Sequence, residues 1–267
     1  MRQAKVRELL RSRQTVSIAE LATMFGASEM TIRRDLNRLE RTGQVRRTHG
    51  GAMPADRMVF EFDFAARRRA NCRAKQAIAR EALKLIESVN RVILDTGTTT
   101  LELAHCLKGF SGLTVITPSL AVASELQFSE GIQTVLLGGL IRRGSPNLSG
   151  TVTENVLDMF AVDIAFQGAD GIGLDGALYT ADMRISRVDQ KIRKRAERTY
   201  ILADSSKIGR TALARHGFLQ QVDGLITDDG IDPEHKGRLE ELGANIVAVP
   251  SDRYTVRNNQ RLRVPKE

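Results

Sequence analysis

Asp95-Thr-Gly-Thr-Thr-Thr100 places a carboxylate, a turn-forming glycine and a run of hydroxyls directly behind an apolar stretch. A strand-to-helix turn of this composition can aim successive backbone N–H groups at one anion, with the helix N-terminus adding positive potential. Thr98, Thr99 and Thr100 are therefore candidate phosphate contacts, and Gly97 is the residue that lets the backbone turn tightly. Asp95 would repel a phosphate; a hydroxyl or a turn N–H suits it better. The same residues also fit an ordinary Thr-capped helix. What favours the anion reading is that other groups converge.

Those groups also follow apolar runs: Thr117-Pro-Ser119, Gly138-Gly139, Gly168-Ala-Asp170 and Asp204-Ser-Ser-Lys207. In open α/β sheets the ligand crevice lies outside the carboxyl ends of the strands. Ser119, Gly139 and Gly168 would line such a crevice. Lys207 would supply a cation, although a single Lys after a strand is commonly surface decoration. Asp170 and Asp204 would accept from hydroxyls, and Arg142 or Arg143 would close over the ligand from the loop after Gly139.

A second constellation lies near the N-terminus. Ser17-Ile-Ala-Glu20 is a capping box opening a helix through Phe25, and Gly26 ends it. Ser28 caps a third helix, Glu29 to about Thr42, after a first helix over Gln3–Ser12. Ile32, Leu36 and Leu39 must face the core, which leaves Met30, Thr31, Arg33, Arg34, Asn37, Arg38 and Arg41 for solvent or a partner. Arginine can read guanine and asparagine adenine, while further arginines hold phosphates. Helix, Gly-containing turn, helix is the helix-turn-helix layout. Gln44–Gly51 then reads as a hairpin whose Arg46, Arg47 and His49 suit a wing along DNA, though a lone His in a hairpin is as often structural. A solvated helix face is the bland alternative.

The charge supports the DNA reading. The net charge of +8 on 267 residues is not spread evenly. Residues 1–53 hold eleven Lys/Arg against five acids, 54–74 five against three, and the remainder 24 of each. A basic domain on a neutral body is an electrostatic footprint of nucleic-acid binding.

Seven short runs rich in Val, Ile and Leu must position the 95–207 residues: 91–95, 113–117, 133–137, 163–167, 199–204, 224–227 and 245–249. They alternate with amphipathic stretches at 75–88, 101–107, 120–128, 186–198 and 233–242. Alternation of this kind predicts an α/β fold with a mainly parallel sheet. The domain expectation is a winged helix-turn-helix over 1–56, a linker over 57–74, an α/β domain over 75–250 and a loose basic tail over 251–267.

Other classes find little support. No apolar run approaches the roughly 18 residues of a membrane helix, and no secretory signal is expected. Two cysteines, Cys72 and Cys106, make no disulfide framework, and a reduced protein fits best. The four His residues are scattered, so no metal site, cofactor or catalytic residue is expected.

Thr31-Ile-Arg-Arg-Asp-Leu36 and Arg47-Thr-His-Gly-Gly-Ala52 resemble the DNA-binding domain of the DeoR family of bacterial sugar-metabolism regulators. Lys75–Ala79, Asp95–Thr100, Leu136–Gly139, Phe166–Gly171, Ala203–Gly209 and Ile226–Asp229 are similar to that family's sensor landmarks, so the resemblance spans about residues 3–250. It implies a cytoplasmic homo-oligomer, dimer or tetramer, that binds a double-stranded DNA operator. It also implies a repressor of carbohydrate-metabolism genes, relieved by a phosphorylated sugar or related metabolite, with a sensor resembling ribose-5-phosphate isomerase in fold. Pro118 and the 184–189 segment depart from the family pattern. The alternative is a sugar-phosphate isomerase with an accessory domain. Against it, no Gly-rich loop leads to the Glu and Lys pair that such an enzyme would use.

Overall fold

The Ser17 hydroxyl accepts from the Glu20 amide at 3.1 Å, and the Glu20 carboxylate accepts from the Ser17 amide at 2.8 Å. This reciprocal cap starts a helix in the computed structural model, which describes residues 5, 6, 9, 16–41, 45–47, 50–54, 64–142 and 145–251. The chain divides into two units, Met1–Ala66 with Arg143–Ser145, and Arg67–Arg142 with Pro146–Glu267.

In the N-terminal unit, β1 (Val16–Ser17) leads into α1 (Ile18–Phe25), then α2 (Glu29–Arg41), β2 (Val45–Arg47) and β3 (Gly51–Pro54). Gly26 adopts the left-handed conformation that ends α1 (φ 58°), as the capping pattern requires. The three strands pair antiparallel in the order β1-β3-β2, the wing beside the helices. Val6, Leu21, Ile32, Leu36, Leu39 and Val45 form the core. Each large apolar side chain among them contributes about 1.5–3 kcal/mol by burial. Of the first expected helix, residues 5, 6 and 9 are described and helical.

Residues 64–69 of the expected linker are helical. Beyond them the chain alternates as α3 (Cys72–Lys84), β4 (Arg91–Leu94), α4 (Thr98–Cys106), β5 (Leu113–Thr117), α5 (Leu120–Leu126) and β6 (Ile132–Leu136). Next come β7 (Leu140–Ile141), β8 (Leu148–Ser149), α6 (Thr151–Leu157) and β9 (Val162–Gln167). Then follow β10 (Gly171–Ile172), β11 (Ala177–Thr180), α7 (Met183–Arg195), β12 (Ala196–Leu202), β13 (Ala214–Phe218), β14 (Gly224–Asp228), α8 (Pro233–Glu241) and β15 (Ile246–Val249).

All seven expected runs become strands of one sheet, ordered β15-β14-β12-β9-β4-β5-β6 and parallel throughout. The central strands β4, β5, β9 and β14 are buried on both faces, as parallel strands covered on both sides are, while the edge strands β6 and β15 keep exposed positions. Ile93, Ile116, Val162, Val188 and Ile192 share one core cluster; Ile172, Ile201, Leu225, Leu239 and Ile246 share another. The antiparallel β10-β11-β13 sheet, the β7–β8 pair and α6 are additions that the apolar runs do not announce. Helix α3 begins three residues before its expected start and α7 likewise. Among the described residues, no helix is long and apolar enough to cross a membrane.

The strand order places the site. From β4 the chain proceeds outward through β5 and β6, then returns to β9 on the other side and continues to β15. The reversal falls between β4 and β9, where a crevice forms outside the strand ends.

Candidate effector crevice and nucleic-acid interface

The turn after β4 and the turn after β9 meet. Asp95 Oδ2 accepts from the Gly168 amide at 3.3 Å. Gly97 has φ −82°, which any residue adopts, so the tight turn expected of it is not what needs glycine; a Cβ there would meet the Gly168 Cα at an ordinary 3.6 Å and crowd Thr100 Oγ1 at 3.2 Å. Gly97 is also the N-cap of α4, and the Leu101 amide closes the first helical bond onto its carbonyl at 3.1 Å. The Thr98, Thr99 and Thr100 amides therefore lack intrahelical acceptors and form the positive end of the helix.

The three threonines are not equivalent. Thr100 is fully buried, and its hydroxyl lies 2.8 Å from the Asp95 and Gly97 carbonyls, which it serves as donor. It braces the turn, and only its amide is left for a ligand. Thr98 is half-buried and Thr99 buried. Asp95 is 4% exposed, and its Oδ1 is buried without a hydrogen-bond partner. Burial pushes its carboxyl up to about 6, against the opposing bonds from Thr96 and Gly168.

On the β9 side, Asp170 accepts from the Ala181 amide at 2.8 Å and pairs with Arg67 Nη1 at 2.8 Å. Arg142 Nε lies 3.2 Å from Asp182 Oδ2. That carboxylate already caps α7 through the Arg184 amide. At the end of β12, Asp204 accepts from the Ser206 amide at 3.2 Å and from Asn71 Nδ2 at 2.8 Å. Lys207 ends the 3-10 turn Ser205–Lys207. On the β5 side, the Thr117 hydroxyl donates to the Leu94 carbonyl at 2.6 Å and accepts from the Ser119 amide at 3.0 Å; Ser119 in turn caps α5. Gly139 stands apart. With φ 137° it turns against α6, where a side chain would collide with Thr153. Arg143 and His49 lie outside the described residues, as do the side chains of Arg46, Arg47 and Arg41.

Several residues near the crevice were not anticipated. Lys75 is 3% exposed, and its ammonium donates to the carbonyls of Arg67 and Ala70, the latter at 2.6 Å. Burial lowers its pKa, partly offset by Asp204. Its position on the buried face of α3, among Ala74, Ile78 and Ala79, is the signal the sequence held. Behind Gly168, Gln167 Nε2 donates to the Asp189 carbonyl at 3.0 Å, and Arg193 Nη1 donates to Gln167 Oε1 at 3.0 Å. Arg193 also reaches His216, whose Nδ1 lies 3.6 Å from Asp189 Oδ2. Burial holds Asp189 well above the usual carboxylate range and pushes His216 down to about 3.

In the N-terminal unit, Ile32, Leu36 and Leu39 of α2 are buried while Met30, Arg33, Arg34, Asn37 and Arg38 are exposed. At 100° per residue the exposed set occupies one face. Arg33 Nη2 lies 3.4 Å from Glu29 Oε2. Ser28 Oγ accepts from the Thr31 amide at 3.3 Å and lies 2.9 Å from Thr31 Oγ1, so these two residues first serve the start of the helix.

A family model of the DeoR-like helix-turn-helix domain matches residues 2–57, and one of the DeoR C terminal sensor domain matches residues 70–229. The uncharacterized HTH-type transcriptional regulator YulB of Bacillus subtilis is 34% identical over 93% of this chain and 96% of its own. The putative aga operon transcriptional repressor of Escherichia coli O157:H7 is 31% identical over 93% of each. The glycerol-3-phosphate regulon repressor of Escherichia coli K12 is 32% identical over 83% of this chain and 87% of its own. A solved ribose 5-phosphate isomerase A from Methanocaldococcus jannaschii aligns with 52% of this chain and 55% of its own, at 23% identity and a TM-score of 0.40.

Proposed function

The chain belongs to the DeoR family of helix-turn-helix transcriptional regulators, and from that we propose that it is a repressor of carbohydrate-metabolism genes, released when a phosphorylated sugar or related metabolite binds its C-terminal domain. The observation that carries the reading is the exposed face of α2, polar and basic, opposite buried Ile32, Leu36 and Leu39. Two similar proteins named as repressors, of an aga operon and of a glycerol-3-phosphate regulon, support the regulatory class and the effector chemistry.

In this reading Met30, Thr31, Arg33, Arg34, Asn37 and Arg38 face base edges and phosphates, with Ser28 at the helix start and Arg46, Arg47 and His49 on the wing. A homo-oligomer in the cytoplasm presents paired recognition helices to half-sites about one helical turn, roughly 34–36 Å, apart. The Thr98–Thr100 amides receive the phosphate, while Asp95, Asp170 and Asp204 take hydroxyls and Lys207 and Arg142 add positive charge. Ser119 and Gly168 shape the walls, while Gly139, turned against α6, does not. Binding shifts the oligomer from its DNA-competent state because the effector's affinity for the two states is unequal.

The isomerase alternative requires a carboxylate and a cation facing one substrate. Lys75, the buried cation by the crevice, is engaged instead by the carbonyls of Arg67 and Ala70.

Two measurements test the proposal. Purified protein mixed with fragmented genomic DNA should retain a small, sequence-selected set of fragments in a salt-dependent manner; retention without selection would defeat it. Thermal unfolding with a panel of phosphorylated sugars, each beside its unphosphorylated parent, should show stabilisation confined to phosphorylated members.

A further inference from the structure

Two of the three carboxylates at the crevice are already occupied by one short segment of the chain. Arg67 is paired with Asp170, and four residues later Asn71 donates to Asp204 at 2.8 Å and to Ser206 Oγ at 3.2 Å. Resting on the reading that the crevice takes a phosphorylated sugar, we propose that Arg67–Asn71 is a displaceable strap. The ligand's hydroxyls take Asp170 and Asp204 from Arg67 and Asn71, and strap release is what lowers DNA affinity.

The strap's backbone is held by α3 rather than by the strand ends. Its own carbonyls are served by the first turn of α3: Lys75 Nζ donates to Arg67 and Ala70, and Cys72 Sγ to Arg68 at 3.2 Å and Arg69 at 3.1 Å. The 67–71 backbone thus keeps its internal bonds whether or not its side chains hold the strand ends. Asn71 makes the reversal into α3 with φ 52°, the one positive φ outside glycine among the described residues. Asn tolerates that conformation better than most side chains. At this position it also carries an amide that reaches Asp204.

The Arg67–Asp170 pair is solvated, its side chains 40% and 26% exposed, and ion pairs that solvated hold little energy. Arg68 adds a contact to His105 at 3.4 Å, away from the strand-end carboxylates. Asp204 keeps its bonds to Ser206 when Asn71 leaves, so it is not stranded. A ligand with hydroxyls at both points therefore replaces two bonds without burying an unpaired carboxylate. An open cavity of about 510 Å³ adjoins the strap, lined by Asn71, Arg73, Ser205, Ser206, Asp228 and Gly230 among others, and gives the segment space to move into.

The consequence follows from connectivity. Arg67 is bonded to Ala66, where the first segment of the N-terminal unit ends. With the strap docked, the Arg67 and Asn71 side chains hold that junction to the sheet's strand ends; with them released, the segment keeps only its carbonyl bonds to Lys75 and Cys72 of α3, and the junction is held less firmly. A less firmly held junction reduces the effective concentration of one recognition helix at the second half-site.

The test uses full-length protein, Asn71→Gly and Arg67→Ala. Asn71→Gly retains the positive φ and removes only the amide contacts. Without any ligand, both variants should bind the selected duplex at least about fivefold more weakly than wild type. Trypsin should also cleave faster within Arg67–Arg69, mapped by mass spectrometry. Glycerol 3-phosphate, ribose 5-phosphate and glucose 6-phosphate are the probes. Whichever of them stabilises wild type should bind both variants more tightly and should speed cleavage at Arg67–Arg69 in wild type.

Unchanged duplex affinity together with unchanged cleavage in both variants overturns the strap. So does weaker probe binding to Arg67→Ala, which would make Arg67 a ligand contact. If no probe stabilises wild type, the effector reading fails on its own, and the ligand-free duplex and cleavage comparisons still decide the strap.

Discussion

Asp95 Oδ2 and the Gly168 amide nitrogen lie 3.3 Å apart and join the ends of β4 and β9 across the line where the sheet reverses direction. A buried carboxylate therefore stands at the one place in the sheet where two outward-running halves leave a gap. Its other oxygen has no protein partner. This is a costly arrangement for a scaffold, and a natural one for a residue that meets a ligand.

The cost is readable as pH dependence. Asp95 titrates at about 6 in the folded protein, against 3.8 ordinarily, because burial disfavours its charge. A raised carboxylate pKa contributes stability fully present below about 3.8 and lost as pH rises through about 6. Asp95→Asn should therefore leave stability nearly unchanged at pH 4 and raise it at pH 7. The upper limit is about 3 kcal/mol, from about 1.4 kcal/mol per pKa unit. Denaturant melts at both pH values measure this; an equal change at both would contradict it.

His216 has the opposite sign. Burial and the neighbouring Arg193 hold it at about 3, below its ordinary 6.5. Its contribution is fully present above 6.5 and lost as pH falls from there toward 3. His216→Gln should flatten the acid limb of the stability profile between pH 6 and 4, read from unfolding midpoints at half-unit intervals. A limb as steep as wild type would show that other groups govern it.

On the DNA side, Arg34 is exposed on the polar face of α2. If it neutralises one phosphate, Arg34→Ala should reduce the slope of log affinity against log salt by about 0.9. If it reads a base, the slope should hold while discrimination at one base pair falls. Fluorescence anisotropy over a salt series on matched and mutated duplexes separates the two.

Ser28→Ala should destabilise the N-terminal unit by about 1 kcal/mol through loss of the α2 cap. Ser28→Asp should restore most of it, since aspartate also caps. Thermal melts of the three proteins check this order.

The central strands β4, β5, β9 and β14 were legible as short apolar runs buried on both faces, while β6 and β15, exposed at Leu136 and Val247, were legible from their Val, Ile and Leu content alone. The capping box at Ser17–Glu20 announced α1 because its two hydrogen bonds are local. Helix α6 was not legible: Thr-Val-Thr-Glu-Asn-Val-Leu buries only Thr153 and Leu157, and tertiary packing decides it. Nor was the β10-β11-β13 sheet, whose two-residue first strand starts at a glycine and whose third strand lies far along the chain. In the crevice, the Asp95–Gly168 meeting followed from placing both turns at strand ends. The Arg67 and Asn71 contacts did not follow, because a linker with Pro, clustered Phe and an arginine run suggests anchoring contacts without saying where, and the partners lie 103 and 133 positions away.

The sheet order also constrains how the molecule is made. Strands β4, β5 and β6 are neighbours both in sequence and in space, so they can pair as they leave the ribosome. Leu94 of β4 pairs with Phe166 of β9, however, and that flank stays bare until the whole of β5 to α6 has been synthesised. Over that interval a nascent chain carries an unsatisfied strand flanked by fully apolar side chains in its middle, a site where other unfolded chains can add. Pairings between distant strands also close slowly. Expression at lower temperature or with holdase chaperones should therefore raise soluble yield. Circular permutants that begin at β9 would place β4 after its inner partner and relieve the exposure.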